Sequence, residues 1–255
     1  MTLIPTLRRL PRAAGVAIAF LTGLLITSSI SLMVKPLAPN RADRLLKSAK
    51  QRWCTYICNV LGVRIRQHGN LLSTPGLIVS NHISWLDIIV LGALGPFGFV
   101  SKYEVVEWPV VGYLASQTGT LFLRRGDRDS TRLIASDMTS RLRSGDYLVF
   151  FPEGTSTSGV DVLRFHASLF QPALNAAVAV QAMGIAYRDA AHTVVPFVGD
   201  DEFLPHLWQV MALPHITVDV FFCEPVTTGQ TDRKALSELT HRQIVAALQL
   251  STTPS

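Results

Sequence analysis

The chain is short of cysteine, of charge and of repeats. Its three cysteines, Cys54, Cys58 and Cys223, are too few for a disulfide framework. Cys54 and Cys58 fit one helix face, yet two thiols without a nearby third or fourth ligand make no zinc site. Such usage suits a reduced, cytoplasm-facing domain. Charged residues are only 16% of the chain, and the mean hydropathy of +0.31 is apolar for a soluble protein. Acidic residues are the scarcer sign, 18 Asp and Glu against 23 Lys and Arg, a net charge of +5. A basic, apolar chain suits an anionic membrane surface or anionic substrates. Zinc-finger spacing, a basic helical repeat and an aromatic RNA-binding motif are all missing, which sets nucleic acid aside. Without an internal repeat or a second-domain linker, 255 residues suffice for one large α/β domain.

What is present begins with a long apolar run. Arg8, Arg9 and Arg12 precede a stretch from about Ala13 to Val34, long enough to cross a bilayer. A basic head and apolar centre also mark a signal peptide, but no A-x-A-like cleavage site follows. Lys35, Arg41, Arg44, Lys47, Lys50 and Arg52 make the far flank basic too. With positive charge on both sides, a helix dipping into one leaflet fits as well as a span. Pro36 and Pro39 end the element. Residues 41–61 then read as an amphipathic helix, suited to an interface or to packing on the domain.

From Val63 the pattern is that of an α/β domain. Strands are expected at 63–66, 77–79, 97–100, 121–123, 147–151, 176–183, 194–198 and 216–222. Helices are expected from Asp87 to about Leu94, from about Trp108 to before Gly119, over 131–142 and over 233–250. Alternating strands and helices argue a mixed, mainly parallel sheet with helices on its faces.

Ser80-Asn81-His82-Ile83-Ser84-Trp85-Leu86-Asp87 stands between one apolar run and the next. In a continuous helix, residues five apart point about 140° away from each other. In a strand they lie on opposite faces. His82 and Asp87 therefore meet only if the chain turns between them, and Ser84 offers an N-cap for such a turn. A histidine oriented by a carboxylate is a general base. Ser84-x-x-Asp87 equally fits a plain capping box.

Three further motifs follow strands. Arg124 and Arg125 end one strand, with one expected to face the site and the other solvent or a partner. Phe151-Pro152-Glu153-Gly154-Thr155 ends another, where α/β sheets gather ligands. There Glu153 suits ordering an arginine or accepting from a substrate hydroxyl, or the segment is a tight turn. Val195-Pro196 is expected in an edge strand or bulge shaping a pocket wall. His68, His166, His192, His206, His215 and His241 have no carboxylate at a telling spacing and read as surface or satisfied-core residues.

Asn81-His82-x-x-x-x-Asp87, Gly119-x-x-Phe122-x-x-Arg125, Phe151 to Thr155 and Val195-Pro196 come in one order. Together they resemble the glycerolipid acyltransferase family, of the bacterial 1-acyl-sn-glycerol-3-phosphate acyltransferase type. Ser101 to Glu104 and Trp108 to Gly112 also resemble family segments, and the resemblance runs from about Gly76 to Pro225. It implies a membrane-associated helical segment at 1–62, an acyltransferase domain at 63–250 and a polar tail at 251–255. It implies acyl transfer from acyl carrier protein or coenzyme A to the free hydroxyl of a lysolipid, at the cytoplasmic face of a bacterial inner membrane. His82 would take the hydroxyl proton and Asp87 would hold His82. Asn81, Lys102, Gly119, Phe122, Arg125, Glu153, Gly154, Thr155 and Pro196 would bind substrate, Lys102, Arg125 and Glu153 to Thr155 around the headgroup. Elbow amides would stabilise the oxyanion, and no metal or redox cofactor is implied. Two departures touch the headgroup pocket. Ser156 stands where the family commonly has Arg, and His166 where it commonly has Lys. The acceptor implied first is lysophosphatidate, acylated at its free sn-2 hydroxyl to give phosphatidic acid, with Arg124, Arg164 and Lys102 compensating for the two cations; the alternative acceptor is a lyso-ornithine lipid. A non-catalytic lipid-binding protein is the reading from another class.

Overall fold

The computed structural model describes residues 3–124, 126–229 and 231–250. Two long helices open the chain, α1 (Leu3–Ser29) and α2 (Pro39–Leu61), joined through a π-helical turn at Ile30–Val34. Leu7–Val34 is long and apolar enough to cross a membrane. A stripe at helical spacing, Val16, Ala19, Gly23 and Thr27, faces inward, while Ile18, Leu21, Leu25 and Ile26 face out. The Trp53 indole donates to the Ala19 carbonyl at 2.8 Å and ties α2 to that stripe. Pro39 opens α2 at its first turn, where a missing N–H costs nothing. Residues 41–61 therefore pack on the domain: Leu46, Cys54, Ile57, Cys58 and Leu61 are all buried.

The sheet follows as β1 (Val63–His68), β2 (Leu77–Ser80), β3 (Gly98–Lys102), β4 (Leu121–Leu123), β5 (Leu148–Phe150), β6 (Val180–Tyr187) and β7 (Ile216–Phe222). Its order is β1-β7-β6-β2-β5-β3-β4, with β6–β7 the one antiparallel pair among neighbouring strands. The sheet is thus mixed and mainly parallel. β2, β5 and most of β6 are buried on both faces, which explains their continuous apolar runs. The helices after α2 are α3 (Leu86–Leu94), α4 (Val111–Gln117), α5 (Arg128–Arg143), α6 (Gln171–Ala176), α7 (Ala191–Val194), α8 (Phe203–Val210) and α9 (Arg233–Leu250). One core lies between the sheet and α1, α2, α3 and α8, the other between the sheet and α5, α6 and α9. Gly92 lets α2 and α3 meet closely, since a Cβ there would stand 2.6 Å from the Cys54 sulfur.

Two expected strands are corrected. The strand expected over 176–183 begins at Val180 and runs to Tyr187; Ala176 ends α6, and Ala177 turns the chain at φ 53°. The strand expected over 194–198 does not form. α7 ends at Val194, and the proline behind it leaves buried Val195 and Pro196 in an irregular segment. The tail at 251–255 lies outside the described residues.

Candidate active site

The chain leaves β2 at Ser80, turns through Asn81 to Trp85 and enters α3, so His82 sits in a strand-to-helix elbow. The His82 ring donates from Nδ1 to Asp87 Oδ2 at 2.8 Å. A carboxylate only accepts, so Nδ1 carries the proton and the Nε2 lone pair is left on the opposite edge. Asp87 is fully buried. Its Oδ2 also accepts from the amides of Ile83, at 2.7 Å, and Ser84, at 2.9 Å. Its Oδ1 accepts from the Tyr187 hydroxyl at 2.7 Å. The Ser84 hydroxyl has no hydrogen-bond partner among the described residues, so Ser84 does not cap α3 through its side chain. Asp87 reaches back to the Ser84 amide instead, and capping and histidine orientation are served by one carboxylate.

Three further contacts fix the elbow. Asn81 is buried and bridges to β6, donating to the Ile185 carbonyl at 3.0 Å and accepting from the Ile185 amide at 2.7 Å. Phe151 stacks on the His82 ring with centroids 4.0 Å apart. Glu153 accepts from the His82 amide through Oε1 and from the Leu163 amide through Oε2, each at 2.7 Å. It is 4% exposed, and burial raises its carboxyl pKa despite those two amides. Both oxygens are committed to backbone, so Glu153 braces the elbow rather than meeting an arginine. The amides of His82, Ile83 and Ser84 are likewise committed to carboxylates, so these three are not free to receive an oxyanion.

A cavity of about 770 Å³ opens at this elbow. His82, Lys102, Glu153, Gly154 and Thr155 line it at one side, as do Ser156 and His166. Its walls are otherwise mostly apolar, from α1, α2, α3 and the segment around Phe197 and Phe203. Gly154 holds φ 74°, which lets the chain turn beside His82. The Ser156 hydroxyl donates to the Phe197 carbonyl, and the Phe197 amide to the Ile83 carbonyl at 2.9 Å.

Other expected residues stand apart from the cavity. Gly119, at φ 78°, accepts from the Arg141 guanidinium through its carbonyl. Phe122 pairs with Ser101 in the sheet, half-buried. The Pro196 carbonyl accepts from His206 Nε2 at 3.1 Å. Arg124 is exposed and stacks over Tyr103 at 3.9 Å. Arg125 lies outside the described residues. Among the described residues no group of three or more His, Cys, Asp or Glu side chains is placed to hold a metal.

Two residues escaped the sequence. Tyr187 is one hundred positions from Asp87, and no spacing rule joins them. His206 is buried, accepts from the Trp85 indole at 3.0 Å and links it to Pro196. Only its reading as a satisfied-core residue was available from sequence.

A family model described as Acyltransferase matches residues 62–198. The chain is 40% identical to a lyso-ornithine lipid O-acyltransferase of Pseudomonas aeruginosa, over 80% of this chain and 79% of that protein. It is 33% identical to a 1-acyl-sn-glycerol-3-phosphate acyltransferase of Neisseria gonorrhoeae, over 68% of this chain and 69% of that one. The crystal structure of a 1-acyl-sn-glycerophosphate acyltransferase from Thermotoga maritima shares the fold at a TM-score of 0.71 and 18% identity, covering 98% of this chain and 97% of that one. With the family model spanning the elbow and the segments around it, this chain belongs to the acyltransferase family and is a glycerolipid-type acyltransferase.

Proposed function

We propose that the chain transfers an acyl group from acyl carrier protein or coenzyme A to the free hydroxyl of a lyso-ornithine lipid. The hydroxyl proton passes to His82 Nε2 as the substrate oxygen attacks the thioester carbonyl. A C–O bond forms and the C–S bond breaks. The leaving thiolate takes the proton back from the His82 imidazolium, which Asp87 stabilises. Since the substrate hydroxyl is itself the nucleophile, no covalent acyl-enzyme and no cofactor are needed.

One observation carries the choice of acceptor. Ser156, already hydrogen-bonded to Phe197, and His166 line the cavity, and both stand where the family commonly has the cations that a phosphate monoester would use. The 40% identity to a lyso-ornithine lipid O-acyltransferase supports the same acceptor. Lysophosphatidate is the second reading, favoured by Lys102 at the cavity and by the 33% identity to a lysophosphatidate enzyme. Purified protein in detergent, given both acceptors with each thioester donor, decides between them. A higher kcat/KM for lyso-ornithine lipid is expected; a clear preference for lysophosphatidate overturns the assignment. Any turnover that needs His82 removes the reading of a non-catalytic lipid-binding protein.

The apolar Leu7–Val34 segment and the lipid substrate class of the relatives support association with a membrane. By the same reading the site works at the cytoplasmic face of the inner membrane.

A further inference from the structure

The cavity has a polar group where an acyl chain needs none. Lys50, on α2, lines it together with Thr118 and Thr120. The amine donates to the Thr118 carbonyl at 3.2 Å and lies 5.5 Å from the centre of the Phe99 ring. Phe99 pairs with Val149, and Val149 with Ile78. Lys50 therefore sits at the level of Ile78, on the order of 10 Å down the sheet from the His82 elbow.

Lys50 forms no ion pair with any carboxylate among the described residues. The neighbouring Lys47 and Arg141 hold Asp146, and Lys47 also holds Asp43. Cys54, one turn along α2, supplies no anion, because burial pushes its thiol pKa up to about 12. Burial, with Arg141 and Lys47 nearby, lowers the Lys50 pKa to about 8. A lysine amine has three N–H donors, and the protein accepts one of them. A saturated chain pressed against this amine would strip its water and return no hydrogen bond. A chain oxygen at that depth would replace the water.

We propose that Lys50 heads a polar subsite at the far end of the cavity, which takes an acyl chain bearing a hydroxyl in its distal half. The choice of ligand rests on the acyl-transfer reading. The subsite serves as a specificity element, since it separates chains of equal length by one oxygen. The Lys50 amine touches the distal chain and no reacting atom.

Calorimetric titration of the full chain in detergent tests this without turnover. The probes are hexadecanoic acid and isomers bearing one hydroxyl in the distal half. The wild-type protein is expected to bind the best hydroxylated isomer about tenfold more tightly than the plain acid. Lys50→Met is expected to bind both alike and to melt no lower than wild type, because it removes a half-buried amine without a carboxylate partner. Lys50→Gln keeps a donor and retains part of the preference. Equal binding by the wild type, or no binding of either acid, overturns the subsite, as does a preference that survives Lys50→Met. Placing the hydroxyl on the thioester and then on the lysolipid shows which chain fills it. A gain in kcat/KM with either one that Lys50→Met abolishes supports the proposal. Protein that keeps the hydroxyl preference but acylates no acceptor would remove the reaction and leave the subsite.

Discussion

Tyr187 donates its hydroxyl to Asp87 Oδ1 at 2.7 Å, from the end of β6 to the first turn of α3, and both side chains are buried. The phenol completes the shell of a carboxylate whose other oxygen serves His82 and two amides. Burial, then the Asp87 charge, raises the Tyr187 pKa well above its usual value, so the phenol remains a donor. Tyr187→Phe leaves Oδ1 without its donor in a dry site. We predict a stability loss of about 2 kcal/mol and a fall in kcat with little change in KM. Thermal melts and steady-state kinetics check both; unchanged kcat would place Tyr187 outside the orienting shell.

Glu153 separates positioning from substrate binding. Its two oxygens hold the His82 and Leu163 amides, so Glu153→Ala is expected to cost about 3 kcal/mol and to lower kcat more than it raises the KM of the lysolipid. A pure KM effect would return Glu153 to the headgroup. Its pKa is raised, so the part of its contribution that titrates is full below the unfolded value near 4.5 and is lost as pH rises through the folded pKa, while the two amide bonds persist. Glu153→Gln should therefore flatten that part of the pH–stability curve. An unchanged curve in an otherwise folded variant would contradict the assignment.

Asp146 has the opposite sign. Burial pushes its carboxyl up, but hydrogen bonds and charge from Lys47 and Arg141 outweigh it, and the pKa is lowered. Its contribution is present above an unfolded value of about 3.9 and is lost as pH falls through the folded pKa. The knot joins α2 to α5, and Arg141 carries it on to the Gly119 carbonyl. Asp146→Asn is expected to lower the melting temperature at neutral pH and to narrow the gap from wild type as pH falls below that unfolded value and through the lowered folded pKa. A gap that stays constant with pH would show that the charge contributes nothing.

The sequence already carried the sheet's make-up and the elbow, because both rest on local rules. Apolar runs too long for one buried face marked β2 and β5 as central strands. The five-residue gap between His82 and Asp87 forced a turn. What escaped depends on distant pairing. The Asp87–Tyr187 bond and the Asn81 bridge to Ile185 cross about a hundred residues, and no periodicity encodes them. Glu153 read as a headgroup ligand because its motif resembles the family's block; that its carboxylate turns inward to the amides of His82 and Leu163 is a tertiary fact. The strand expected at 194–198 failed because half-buried Val194 ends a helical turn and buried Val195 lies in the segment behind it. β-branched composition alone does not distinguish that from a strand.

His206 fixes a wall of the cavity. It accepts from the Trp85 indole and bonds the Pro196 carbonyl, while Trp85 and Phe197 both line the cavity. His206→Phe keeps bulk but strands the indole N–H and the carbonyl. A loss of about 2 kcal/mol and a raised KM for the lysolipid are expected, with kcat within about threefold. A collapse of kcat at unchanged KM would show that this network acts on His82 instead.

The central claim is that His82 Nε2 takes the proton from the lysolipid hydroxyl. Its most direct test is the rate of acyl transfer by purified His82→Ala with saturating thioester and lyso-ornithine lipid, beside a melt that shows the variant folded. General-base catalysis contributes about 10²–10⁴. His82→Ala is expected to run at least 10²-fold below wild type, and a folded variant acylating at the wild-type rate would contradict a general-base role for His82.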